Sequence, residues 1–458
     1  MYGFRVVIGL CALVTSASCA VYHAQPLEDR DLQTTLAPPD SAALERAAPL
    51  LQHPRLLPMR LDLERPLTPD ALAVISVLAN PDLRALRAQQ GVADAQVFAS
   101  GLLPDPQFGL GRDRVSSAPD ATFSPAWAGS LALDLLGPMI TRGADRGAAQ
   151  AHATRVRMDI AWAEWMTAGQ ARLLASRMHY QQRAAQLASA AADVADRALA
   201  RSLAAGQRRD LKADEIELRR IADSDAVARA LAAERDVDAT RLELNRLLGF
   251  PPEAKLSLAS LPVLKAWRGA DAGTLFTVAR VARLDLRALA ADYDSQQQVV
   301  RRAVLSQYPR VGLTLNRARD TSRVYTSGQA VSVDLPLWNR NRGVLRIAEA
   351  DRAQLRAEYA ARLHQTRADI AALVAALEID ERARVVLEVQ APDLERIAAA
   401  YEAAALRGDA TRPVAEAARA AALDRSLTLL ALQQACAEER IGLSLAVGQP
   451  LTDLELTP

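Results

Sequence analysis

Aromatic residues are scarce. Phe, Trp and Tyr make up 4% of the 458 residues, although half of the chain is hydrophobic. The apolar half is therefore mainly Ala, Leu and Val. That mix argues against a β-sandwich or a conventional enzyme core and suits long helices packed at close range. An excess of one charge is also lacking: 55 Lys and Arg stand against 54 Asp and Glu, a formal charge of +1. A nucleic-acid binder would show a strongly basic domain, so that class is excluded. Beyond the N-terminus no apolar run of about 18 residues occurs, which excludes a polytopic helical membrane protein. Catalytic and metal-binding patterns are missing too. None of His23, His53, His152, His179 and His364 has a zinc-ligand spacing with Cys or another His. There is no HExxH, no Gly-rich loop followed by Lys and Ser or Thr, and no GxSxG. No enzyme, metal site or cofactor is expected. Of the three Cys, Cys11, Cys19 and Cys436, the last reads as a small core residue, so no disulfide framework is expected.

Residues 1–18 read as an export signal. Arg5 supplies the positive charge, Val6–Val14 a short apolar core, and Thr15–Ala20 a small-residue cleavage zone. Ser16-Ala17-Ser18-Cys19 is similar to a bacterial lipobox, which makes Cys19 the expected lipidation site. Ordinary cleavage after Ala20 is the competing reading.

Length alone suggests two to three ordinary domains, but an internal duplication replaces that expectation. Asp82-Leu83-Arg84-Ala85-Leu86 recurs as Asp285-Leu286-Arg287-Ala288-Leu289. At nearly the same spacing of about 200 residues, Pro106 recurs as Pro309, Leu133-Asp134-Leu135 as Val333-Asp334-Leu335, and Gly206 as Gly408. The expected organisation is an extended, loosely structured arm over 19–68, one copy over 69–250, a linker over 251–271, a second copy over 272–447, and a tail over 448–458. Each copy opens with a helix, 69–100 and 272–306. Thr68 caps the first, with Pro69 at its first position. Two strands follow, 107–113 and 128–135 in copy one, 310–317 and 329–337 in copy two. Long helices over 141–205 and 341–407 end at Gly206 and Gly408. Return helices over 209–248 and 411–447 close each copy. Pro392 is expected to kink the second long helix or mark a junction in it.

The strands alternate between apolar and polar residues. Val311, Leu313 and Leu315 interleave with Gly312, Thr314 and Asn316, and Leu131, Leu133 and Leu135 with Ala132 and Asp134. Such a pattern suits a soluble sheet resting on a core or a lipid-facing wall with a wet interior. Phe108, Phe123, Trp127, Tyr308, Tyr325 and Trp338 cluster near these segments, as an interfacial aromatic belt would. Four strands do not close a channel-sized barrel, so the barrel reading requires an oligomer. Asp134 and Asp334 would give its inner surface negative charge; local backbone or Arg partners are the alternative. The fold class expected is mainly α with a small β part: long coiled-coil hairpins plus four barrel strands per protomer.

At this point the sequence resembles the TolC family of outer-membrane efflux channels. The resemblance rests on Asn80-Pro81-Asp82-Leu83-Arg84-Ala85, on Leu103-Pro104-Asp105-Pro106, on Tyr308-Pro309-Arg310, and on Leu335-Pro336-Leu337-Trp338-Asn339-Arg340-Asn341-Arg342-Gly343. Cys19 followed by Tyr22 and Pro26-Leu27 is similar to the lipoprotein members. The resemblance implies a homotrimer with one shared twelve-stranded barrel in the outer membrane and a helical tunnel in the periplasm. It implies a periplasmic adaptor and an inner-membrane pump, of the RND type, as partners. It also implies adaptor docking at the helix tips, around Gly206, Gln207, Gly408 and Asp409. The Asn339–Gly343 string resembles members paired with metal-cation pumps. At the tips, Thr411 follows the family pattern, whereas Arg209, Lys212 and Val414 depart from it. The gate candidates are therefore Arg208, Asp210, Asp214, Asp409, Arg412 and Glu416, with the acidic residues among them expected to pair with Arg208 or Arg412. The expected function is a passive exit duct for small molecules or metal ions. A pore-less exported coiled coil and a polypeptide exit channel are the alternatives.

Overall fold

The computed structural model describes residues 22–114, 116, 124–134, 136–267 and 269–451. The export signal, Cys11, Cys19, Phe123 and Leu135 lie outside the described residues. Contacts divide the chain at Pro38. The unit before it contributes one short helix, α1 (Asp29–Leu36). The unit after it holds everything else.

The segment after Pro38 departs from the expected loose arm. It forms α2 (Ser41–Ala47) and a 3-10 turn (Ala48–Leu50), and it buries Leu44, Ala48, Leu56, Leu61 and Leu67. Leu67 bridges in parallel to Leu258 of the segment between the two copies. Apart from Leu44 in α2, these leucines show no period because they enter the core from irregular backbone, where neither a 3.6- nor a 2-residue repeat applies.

Each expected opening helix is two helices. α3 (Pro69–Ala79) is capped by Thr68, whose Oγ1 accepts the Ala71 N–H at 3.2 Å. It stops at Asn80, and α4 (Pro81–Ser100) begins at once. Pro81 has no N–H to continue the ladder and holds its predecessor in extended backbone; Asn80 accordingly has ψ 125°. The buried Asn80 side chain does two jobs. Its Oδ1 accepts the Leu83 N–H at 2.9 Å, and its Nδ2 donates to the Leu247 carbonyl at 2.8 Å. Copy two breaks at the equivalent place without a proline. α7 (Ala272–Ala282) and α8 (Leu284–Leu305) meet at Arg283, which is extended like Asn80. Arg283 donates to the Ala446 carbonyl at 2.9 Å, forms two hydrogen bonds with Asp285, and lies 4.7 Å from the Trp162 ring centroid. A tertiary clamp there replaces a local one.

The long helices are α5 (Leu136–Gln207), 72 residues, and α9 (Arg342–Arg407), 66 residues. At 1.5 Å per residue each runs roughly 100 Å or more. Pro392 lies inside α9 and marks no junction, because the helix continues to Arg407. The return helices are α6 (Ala213–Leu248) and α10 (Arg412–Val447), 36 residues each. Both end on a left-handed glycine, Gly249 (φ 69°) and Gly448 (φ 83°). A Cβ on Gly249 would sit 2.9 Å from the Ala79 carbonyl oxygen, and one on Gly448 3.0 Å from the Arg283 Cα. The returning chain thus closes directly onto the α3–α4 and α7–α8 breaks.

The cores repeat the duplication. In copy one, Leu72 and Ile75 of α3 pack with Leu174 of α5 and Leu244 and Leu248 of α6. In copy two, Leu275 of α7 packs with Ile370 and Leu377 of α9 and Leu443 and Val447 of α10. Cys436 lies in the second core, fully buried and unpaired, and burial pushes its thiol up to about 12. The segment between the copies is pinned to it. The Trp267 N–H donates to Glu381 Oε1 at 3.0 Å, and Glu381 is held by Arg384 at 2.7 Å.

Candidate functional site

The strands are β1 (Gln107–Asp113), β2 (Ala126–Asp134), β3 (Arg310–Arg319) and β4 (Tyr325–Asp334). Leu335 and Leu337 fall outside β4. The four form one antiparallel sheet in chain order, so β2 of copy one pairs with β3 of copy two. The helices join one end of the sheet; the β3–β4 turn lies at the other, with the end of β1 and the start of β2.

The register sorts the side chains, most sharply in the half of the sheet nearest the helices. Phe108 stands opposite Leu131, which stands opposite Leu315; Leu133 opposes Leu313, which opposes Val331; Val311 opposes Val333. These residues share one face. The other face carries Gly109, Ser130, Asn316 and Gly328 in one row, and Ala132, Thr314 and Ala330 in another. Phe108, Leu110, Leu315, Val331 and Val333 are exposed, so among the described residues no element covers the apolar face. Trp127, Tyr308 and Tyr325 are exposed as well, and Trp338 is 90% exposed. Among the described residues no helix is long and apolar enough to cross a membrane.

Asp134 and Asp334 lie on the small, polar face. Asp134 Oδ1 also accepts the Gly137 N–H at 3.3 Å, at the start of α5. Asp334 stands opposite Arg310 in the register. That arginine shares the polar face and reduces its negative charge.

At the far ends of the long helices the two copies build the same turn. Gly206 does not end its helix, which runs to Gln207. The left-handed position is filled by Arg209 (φ 63°) in copy one and Gly408 (φ 84°) in copy two. Gly206 meets a different demand: a Cβ there would sit 2.4 Å from Ile216 Cδ1 of the return helix. The Asp210 N–H donates to the Ala205 carbonyl at 3.0 Å, and the Asp409 N–H to the Ala404 carbonyl at 2.9 Å. In both turns an arginine two residues earlier reaches the aspartate. Arg208 Nε donates to Asp210, and Arg407 Nε to Asp409, each at 2.9 Å. Asp409 is therefore paired within its own turn, not with Arg208 or Arg412 of the same chain. An exposed pair of this kind contributes little energy, but it fixes the turn. Asp214 accepts only the neighbouring Glu215 N–H, at 3.1 Å. Glu416 has a different role. It pairs with Arg201, tying α10 of copy two to α5 of copy one. Further along the same contact, Arg177 and Glu438 pair at 2.9 Å. The recurring Arg-x-Asp string at the two turns was the available sequence signal for the first feature. The Arg201–Glu416 pair had none, because it joins positions far apart in sequence.

A half-buried carboxylate on α10 supplies a pH response. Burial, and then the neighbouring Asp380 charge, push Glu439 up to about 7. Between about pH 4.5 and 7 the folded chain holds a proton that the unfolded chain has released, so this group destabilises the fold as pH rises through that window. Glu439→Gln is expected to raise the thermal midpoint at pH 8 and to leave it unchanged at pH 4. Melting curves of both proteins at the two pH values check this.

No family model and no curated relative matches the sequence. The fold, however, is that of the TolC-like outer-membrane channels, an α/β architecture of long helical hairpins on a small sheet. Similar solved structures include the outer-membrane channel OprN (TM-score 0.69, 16% identity, 94% of this chain and 99% of that chain). The Campylobacter jejuni CmeC outer membrane channel is similar as well (TM-score 0.70, 14% identity, 83% and 85%). So is CusC, whose structures concern folding and transmembrane channel formation (TM-score 0.67, 16% identity, 88% and 99%).

Proposed function

We propose that the chain is an outer-membrane exit duct of a tripartite efflux system, passive and without chemistry of its own. The observation that carries this reading is the two-faced sheet. Among the described residues nothing covers its apolar face, its polar face carries mainly Gly, Ser, Thr, Asn and Ala together with Asp134, Asp334 and Arg310, and both long hairpins leave from one end. A lipid-facing wall with a wet lumen needs that division. Four strands are too few to enclose a channel, so three protomers supply twelve strands. The helices then line a periplasmic tunnel, and their tips, at Gly206, Gln207, Gly408 and Asp409, meet a periplasmic adaptor and an inner-membrane pump. The string Asn339–Gly343 supports a pump of the RND type and a metal-cation or small-molecule cargo. Cys19 is the proposed lipid anchor.

In planar bilayers the purified protein is expected to form cation-selective channels. Asp134→Asn together with Asp334→Asn is expected to lower that selectivity several-fold with little change in trimer yield. A preparation that never conducts would sink the duct reading in favour of an exported coiled coil without a pore. For the gate, we propose that the Arg201–Glu416 pair holds neighbouring hairpins together, while Arg208–Asp210 and Arg407–Asp409 shape the turns and Arg412 and Asp214 face solvent or a partner.

A further inference from the structure

The hairpin end of the sheet carries a row that the duct reading does not use. Arg112 stands opposite Trp127, Trp127 opposite Arg319, and Arg319 opposite Tyr325. By register these side chains belong to the apolar face. Arg317, two residues before Arg319, shares that face and opposes Gly129 and Ser327. The guanidinium groups of Arg112 and Arg319 are held in place. Arg112 lies 5.1 Å from the Trp127 ring centroid and Arg319 lies 5.9 Å from that of Tyr325. Arg319 Nη2 also donates to Ser124 Oγ at 3.1 Å, and that hydroxyl donates onward to the Thr321 carbonyl at 3.0 Å.

Their charge is not offset. Among the described residues none of Arg112, Arg317 and Arg319 has an ion-pair partner. Asp113 belongs to the opposite face, and Asp320 accepts the Val324 N–H at 2.8 Å within the turn. Arginine on the lipid side of a barrel is costly at mid-bilayer and tolerated at the interface, where Trp and Tyr also concentrate. The row therefore marks a headgroup level. Adjacent strands lie about 4.8 Å apart, so Arg112 and Arg319 are separated by about 10 Å, with Arg317 about 7 Å along the strand. Guanidinium forks bind phosphate oxygens in bidentate fashion.

We propose that Arg112, Arg317 and Arg319 form a docking site for the phosphate groups of a phosphorylated, multiply acylated glycolipid in the outer leaflet. The proposal rests on the duct reading, which puts the helices in the periplasm and so the hairpin end at the outer leaflet. The acyl chains then lie along Phe108, Leu110, Leu315 and Val331, and the aromatic rings hold the guanidinium groups of Arg112 and Arg319 at phosphate height.

The test is native mass spectrometry of the full-length protein in detergent, titrated with the bis-phosphorylated glycolipid, its enzymatically dephosphorylated form, and phosphatidylglycerol. The phosphorylated glycolipid is expected to bind about tenfold or more tightly than either of the others. R112Q/R317Q/R319Q is expected to bring that ratio to about one, while Arg310→Gln, on the polar face, leaves it unchanged. Equal binding of the phosphorylated and dephosphorylated forms to the unaltered protein overturns the proposal without any variant. So does equally tight binding of phosphatidylglycerol, or a preference that survives the triple substitution. Bilayer conductance of the same preparation separates the two readings. A conducting protein without phosphate preference overturns the lipid site alone; a protein that does not conduct overturns both.

Discussion

Leu313→Arg is expected to abolish accumulation of the assembled protein in the outer membrane, whereas Thr314→Arg is expected to leave it there with altered conductance. The two positions are neighbours in β3, and the same residue is introduced at both. Only the face differs. Leu313 stands between Leu133 and Val331 on the apolar face, and Thr314 between Ala132 and Ala330 on the other. A guanidinium facing lipid near mid-bilayer costs about 2–4 kcal/mol, and an oligomer carries that cost in every copy. On the proposed duct reading the same group at position 314 enters a water-filled interior lined by small residues. Fractionation followed by semi-native electrophoresis reads both outcomes. Equal loss of both variants would mean that β3 is buried in protein on both sides, and equal survival would mean that neither face meets lipid.

The second large effect lies at the break between α7 and α8. Arg283 and Asp285 are both nearly buried, and they meet through two hydrogen bonds of 2.9 and 2.6 Å. Arg283→Ala removes that partner, the bond to the Ala446 carbonyl, and the contact with Trp162. Breaking a buried pair by deleting one member typically costs about 3–5 kcal/mol, because the other charge stays behind. Arg362, 3.5 Å from Asp285, offers partial compensation. The expected loss is therefore at the lower end, about 3 kcal/mol. Arg283→Ala combined with Asp285→Ala is expected to cost less than Arg283→Ala alone. Denaturant unfolding of the three proteins gives the comparison. A double variant less stable than the single one would show that Asp285 is not stranded.

The element order and all four strands were legible because alternation and helical period are local signals. β1 has the bounds that the pattern implied, and the other strands differ from their expected bounds at one or both ends. The break at Asn80-Pro81 was equally local, since proline dictates it, yet it was read as continuous helix. The matching break at Arg283 was not legible at all. No residue there forbids helix; contacts with Asp285, Trp162 and Ala446 impose the turn. Gly206 misled for a related reason. A glycine near a helix end suggests the left-handed cap, but this one makes room for Ile216, and Arg209 takes the cap. Arg208 pairs with Asp210, one of the expected tip pairs, but the Arg407 partner of Asp409 was missed because ion pairs between exposed side chains follow turn geometry, which a residue count does not provide. The arginine–aromatic row needed the register: Arg112 and Arg319 lie far apart in the chain and meet Trp127 only across strands.

Those edge strands also offer the most direct test of the central claim. β1 and β4 are the two open edges of the sheet, and closure into one barrel requires β1 of one protomer to lie against β4 of the next. Leu110→Cys combined in turn with a cysteine at Tyr325, Ser327, Gln329, Val331 and Val333 sets thiols on one face of the two edge strands at every register step that the stagger of barrel closure can select, and the outcome is read from the set of pairs. The native Cys436 is fully buried and does not compete. Treatment of intact membranes with a short bismaleimide is predicted to give, for at least one pair, a ladder that stops at three chains, with no single variant giving it. A monomer band alone for every pair, or a ladder that continues past three, would contradict the account.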